Sequence, residues 1–117
     1  MGEATDLQRR NWERVEAAGK FAETLIRPGV RARDVYAAVR ERLDESFWHH
    51  VGHGIGFRGH EAPRIIPGSD DVFEEGDVIA IEPGMYSSDM HGGIRLEDNY
   101  VVRSNGLENL FSYPREL

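Results

Sequence analysis

Four of the five histidines stand in "HHVGHGIGFRGHEAP", residues 49–63, interleaved with four glycines. Imidazole can bind a metal ion, relay a proton or donate a hydrogen bond to a developing oxyanion. The chain has no cysteine, so any metal binding or nucleophile activation falls to His and carboxylate side chains, and no disulfide framework exists. Gly54, Gly56 and Gly59 match the spacing G-x-G-x-x-G, which holds a pyrophosphate only when a helix opens directly behind it. Here "HEAPRIIPG" follows, with two prolines and no helical period, so a nucleotide site is discounted. The remaining reading is that the glycines let backbone pack closely around His53 and His60 and clear space for an ion.

Carboxylates to complete such a site occur in two apolar runs. In "DVIAIEPGMY", residues 77–86, alternation places Val78, Ala80 and Glu82 on one face of a strand stopped by Pro83 and Gly84. In "GGIRLEDNYVVR", residues 92–103, Arg95, Glu97 and Asn99 share one face and Ile94 and Leu96 the other. Pairing of the two strands lets Glu82 and Glu97 converge, and a buried unpaired carboxylate calls for a cation. The bland alternatives are a loop role for each histidine and an ion pair between Arg95 and a neighbouring carboxylate.

The elements that must position these groups are legible from periodicity. Trp12, Val15, Ala18, Ala22, Leu25 and Ile26 recur at helical spacing across residues 6–26, ending at "RPGV". Val35, Tyr36, Val39 and Leu43 define a second helix. After Phe47 the chain turns to Gly, Pro, aromatic and β-branched residues, which read as strands and loops, with "SSDMHGG" as a hairpin connection and "SNG" at 104–106 as a further turn. The order predicts an α+β fold, two N-terminal helices followed by a curved antiparallel sheet, in one domain over residues 1–117. A domain this short exposes surface, and a dimer is expected. The formal net charge of -7 argues against a nucleic-acid partner, and no run approaches the ~20 apolar residues of a membrane span. A cytoplasmic location is expected.

The ordered set "GHGIGFRGHEAP", "FEEGDVIAIEPGMY" and "GGIRLEDNYVV" resembles the catalytic part of the creatinase, aminopeptidase P, prolidase and methionine aminopeptidase family, whose fold is called pita-bread. The likeness runs from the first helix to "YPREL". It implies that His53, Glu82 and Glu97 are ligands to a divalent metal (Mn, Zn, Co or Fe, one or two ions), that His60 faces the substrate and steadies the transition state, and that His49 assists near the substrate. His50 and His91 have no dependable counterpart. Members of that family hold two metals with five side chains, and none of Asp34, Asp44, Asp70, Asp71 and Asp77 stands in the context of the two aspartates among them. The chain therefore resembles one half of the fold.

That half is expected to leave an apolar sheet face exposed and to pair with a second copy in place of the missing half. The resemblance implies a metal-dependent hydrolase using metal-activated water, with Glu97 taking the water's proton. Peptide or small-molecule substrates are expected, with amides first and phosphotriesters or activated esters as promiscuous ones. A non-catalytic peptide- or protein-binding module is the alternative, and metal-independent histidine chemistry a third.

Overall fold

The computed structural model describes residues 2–111 and 113–115. Met1, Ser112, Glu116 and Leu117, which the expected domain and the final "YPREL" include, lie outside the described residues. Two helices lead the chain, α1 (Asp6–Leu25) and α2 (Ala32–Arg42). Thr5 starts α1 as a capping box: its hydroxyl accepts from the Gln8 N–H at 3.2 Å, and the Gln8 side chain accepts from the Thr5 N–H at 2.9 Å. Val15, Ala18 and Ala22 form the buried stripe predicted from periodicity. Ile26 leaves the helix with extended backbone, yet is buried and joins the core as the cap residue. In α2 the stripe is Ala32, Val35 and Val39, with buried Leu43 as its cap. Arg14 of α1 pairs with Asp44 just after α2 at 2.9 Å, and the Ser46 hydroxyl and N–H, with Arg14, hold the Asp44 carboxyl down to about 2.

Seven strands follow: β1 (Gly52–Gly54), β2 (Glu61–Ile65), β3 (Val78–Ile81), β4 (Gly84–Ser87), β5 (Gly92–Arg95), β6 (Asp98–Arg103) and β7 (Gly106–Asn109). Five form an antiparallel sheet in the order β2-β1-β3-β6-β7, and β4 pairs with β5 in a separate antiparallel ribbon. Each long predicted strand is thus interrupted once, at Glu82–Pro83 and at Leu96–Glu97. Pro83 has no N–H to offer a ladder, although its carbonyl still accepts from the Leu96 N–H at 3.3 Å. Ile81 pairs with Asp98 and Gly84 with Arg95, so the register passes through the bend unshifted and sets Glu97 across from Glu82. The "SSDMHGG" connection contains a 3-10 turn over Ser88–Met90, closed by His91 in the left-handed region at φ 54°. The "SNG" turn leads into β7, a strand that periodicity did not reveal.

The two sheet faces have different occupants. Ile79, Ile81, Tyr100 and Val102 join Ile65, Phe73 and the buried helix stripes in one apolar cluster. Ala80 is also fully buried but lies outside that cluster, because its side chain points to the opposite face. There the register aligns Arg64, His53, Ala80 and Asn99 in one cross-strand row. The open face is therefore mixed and polar rather than the apolar one expected, since the histidine and carboxylate side chains occupy it. Large exposed apolar side chains lie at Trp48, Phe57, Val72, Leu110, Phe111 and Tyr113, of which Phe111 and Tyr113 line a groove with Asn99.

Tyr100 locks β6 to α1. Its ring is 2% exposed and its hydroxyl donates to Glu23 Oε1 at 2.6 Å. Burial and the adjacent Glu23 carboxylate raise the phenol well above its ordinary value of 10.0. The unfolded chain therefore loses this proton first as pH rises, so the stability that Tyr100 contributes is complete below about pH 10 and declines above it. Tyr100→Phe is expected to lower the unfolding free energy by about 1.5 kcal/mol at pH 8, and to flatten the fall between pH 9 and pH 11, as read by urea denaturation at each pH.

Candidate metal centre

The glycine-rich stretch owes its composition to close approach of three strands. A Cβ on Gly52 would sit 2.1 Å from the Ala80 carbonyl oxygen, and one on Gly54 would sit 2.1 Å from that of Ala62. With side chains absent at both positions, β1 fits between β2 and β3, and His53, the residue between the two glycines, projects onto the open face beside Ala80. His53 is mostly buried at 8% exposure. Its Nδ1 lies 2.9 Å from the Gly54 carbonyl oxygen, which fixes the ring orientation and turns Nε2 toward Glu82.

Glu82 immediately follows β3. Its backbone N–H donates to the Val51 carbonyl at 2.7 Å, and the residue is 5% exposed. Oε1 is approached by His50 Nε2 at 2.6 Å and by His53 Nε2 at 3.0 Å. The Arg95 Nε lies 3.6 Å from Oε2, so the ion pair offered by the bland reading is present beside the histidine contacts. His60, exposed just before β2, lays its ring 4.0 Å from that of His53, centroid to centroid. Ligand atoms of His50, His53, His60 and Glu82 all fall within 4.8 Å of one another. Three imidazole nitrogens and a carboxylate oxygen suit a divalent ion of the zinc or manganese type.

Of the residues singled out in the sequence, His53, His60 and Glu82 come together. Glu97 is exposed and outside the group, although its backbone is opposite Glu82. Two carboxylates repel at close range, and Arg95 already approaches the inner one. His49 is also outside the group. Its Nδ1–H donates to the His50 carbonyl at 2.7 Å, while Nε2 accepts from the Tyr86 hydroxyl at 3.0 Å. Burial pushes its pKa below the usual histidine range, in keeping with a neutral ring that both donates and accepts. His50 is the residue that sequence reasoning left without a role. Its signal was its place three residues before His53, which becomes meaningful only once the loop before β1 and β1 itself bring the two rings to Glu82.

A family model described as metallopeptidase family M24 matches residues 1–104. The chain is 38% identical to the Xaa-Pro dipeptidase of Pyrococcus furiosus, an alignment that covers 100% of this chain and 35% of that protein. It is 37% identical to the probable dipeptidase PepE of Mycobacterium tuberculosis, covering 100% of this chain and 32% of the other. The crystal structure of the prolidase from Pyrococcus horikoshii OT3 superimposes with a TM-score of 0.92 at 35% identity, over 100% of this chain and 35% of that one. The chain spans about a third of the length of these relatives.

The close approach of β1 to its neighbours is testable. Gly54→Ala forces the β1–β2 pair apart and moves His53 relative to His60. It is expected to cost about 1–3 kcal/mol of stability in urea denaturation and to weaken metal uptake measured by calorimetry. Unchanged stability and uptake would count against the glycines' spacing role.

Proposed function

The chain belongs to metallopeptidase family M24, and from that membership we propose that it is the metal-binding half of a divalent-metal-dependent hydrolase acting on peptide bonds in the cytoplasm. Its two helices and curved antiparallel sheet are half of the pita-bread fold. The observation that carries the reading is the convergence of His53, His60 and buried Glu82 on the open sheet face, with Glu97 opposite Glu82 in register. In this reading His53, Glu82 and Glu97 would hold the ion.

A divalent ion held there would supply an activated water and polarise the bond under attack. Glu97 would take up the proton of the attacking water, and His60 would donate a hydrogen bond to the oxygen of the substrate carbonyl. His49, with the Tyr86 hydroxyl on its Nε2, assists substrate binding. The names of the relatives make dipeptides with a C-terminal proline the first substrates to try; phosphotriesters and activated esters follow as promiscuous ones. Mn, Zn, Co and Fe all suit these donors, and one or two ions are compatible with them.

The opposite wall of the site comes from outside this chain, and a second copy about a twofold axis is the proposed source. Residues 1–117 then act as a single half-domain. Two features support a covering partner. Asn99, in the row with His53 and Ala80, has a buried Oδ1 without a hydrogen-bond partner among the described residues. Beside it, a groove lined by Arg95, Glu97, Phe111 and Tyr113 lies open.

The test is turnover of a proline dipeptide by metal-stripped protein before and after Mn or Zn is restored, with subunit number read by sedimentation. Metal-dependent turnover by a dimer is expected, lost in Glu82→Gln together with the metal and reduced about 100-fold in His60→Ala with the metal retained. Metal-bound protein without turnover would favour the non-catalytic peptide-holding module. Activity that survives chelation would point to chemistry by the histidines alone.

A further inference from the structure

The short link Leu96–Glu97 lies between β5 and β6 and belongs to neither strand. On one edge it is held by the Leu96 N–H, which donates to the Pro83 carbonyl at 3.3 Å, and Pro83 has no N–H with which to return the bond. On the other edge, β7 ends at Asn109, and the Leu110 N–H donates to the Asn99 carbonyl at 2.9 Å. By the alternation of an antiparallel ladder, the next carbonyl on that edge is that of Glu97. A side chain from the C-terminal segment reaches it: Arg115 Nη2 donates to the Glu97 carbonyl at 2.9 Å.

The same nitrogen lies 2.6 Å from Asp98 Oδ1, in a pair whose side chains are only 24% and 23% exposed. A hydrogen bond between ionised partners is roughly twice as strong as a neutral one, and partial burial protects it from salt. Asp98 is in turn tied to the body of the protein, since its Oδ2 lies 3.4 Å from the Tyr100 hydroxyl that donates to Glu23 of α1. Arg115 also lines a small cavity with Val15 and Gly19 of α1, Ile81 of β3 and Leu96. The guanidinium is therefore anchored to a rigid part of the fold while it grips a poorly held one.

We propose that Arg115 is a positioning residue for Glu97. One nitrogen grips the Glu97 carbonyl and the Asp98 carboxylate, compensates for the bond that Pro83 cannot give, and fixes the backbone that presents Glu97 opposite Glu82. The inference rests on the reading of Glu97 as a ligand and adds a residue that does not itself touch the ion. The Glu97 side chain is exposed, so packing does not aim it, and the direction of its carboxylate depends on how firmly its backbone is held.

Two variants separate the donor from its stem. Arg115→Met keeps the apolar stem and removes the nitrogen, whereas Arg115→Lys restores one cationic nitrogen, which suffices because a single nitrogen makes both contacts. In metal-free protein, amide exchange followed by NMR reads the link directly. Exchange at Leu96 is expected to accelerate about tenfold in Arg115→Met relative to Val102, whose N–H donates to Asp77 at 2.8 Å toward the far end of β6, and to return toward wild type in Arg115→Lys. Mn and Zn affinity, read by competition with a chromophoric chelator, is expected to fall about tenfold in Arg115→Met and to recover in Arg115→Lys. A residue that only stabilised the fold would lower the urea midpoint of Arg115→Met without changing the Leu96-to-Val102 ratio or the affinity, and that result would overturn the proposal. Glu97→Gln identifies which premise failed. If it weakens the metal while Arg115→Met does not, Arg115 has no positioning role and the ligand set stands. If neither weakens it, Glu97 is not a ligand, and that part of the reading above fails together with the proposal.

Discussion

The buried carboxylate of Glu82 is the constraint around which the rest of this molecule is arranged. An ion-sized charge removed from water costs several kcal/mol unless hydrogen bonds and opposite charge offset it. Here two imidazole nitrogens meet one oxygen, an arginine approaches the other, and the backbone N–H is satisfied by Val51. Each compensating group is delivered by a different piece of chain. The loop before β1 brings His50, β1 itself brings His53, and β5 brings Arg95. The neighbouring features of the sheet follow from that convergence.

Convergence requires strands without side chains in the way. Gly52 and Gly54 remove them where β1 passes between β2 and β3, and the histidine between them is therefore held by backbone on both sides. Pro83 breaks the ladder directly after Glu82, so the long hairpin bends at the residue that carries the charge. The helices contribute from the other face. Their apolar stripes cover Ile79 and Ile81, which fixes Ala80 and Glu82, by alternation, on the side away from the core. Tyr100 and Glu23 tie the same sheet to α1 through a hydrogen bond whose donor is sheltered from water.

The chain covers about a third of the length of the relatives it matches. Beside the candidate ion site, the Asn99 Oδ1 is buried without a hydrogen-bond partner among the described residues, and Phe111 and Tyr113 line a groove with Asn99.

Much of this was legible in the residues. Helical spacing located both helices to within a few residues, because a buried stripe needs a repeat near 3.6 wherever a helix covers a sheet. Period-two alternation placed Glu82 on one face with Ala80, and Glu97 with Arg95 and Asn99, because strand geometry allows no other arrangement. The histidines, the glycines and the two carboxylate motifs, read in order, identified the family before any coordinate was known. Strand β7, the polar character of the open face and the entry of His50 into the site were decided only by the tertiary structure. Each depends on which distant strands lie side by side, and pairing partners are set by the register and packing of the whole sheet rather than by local sequence.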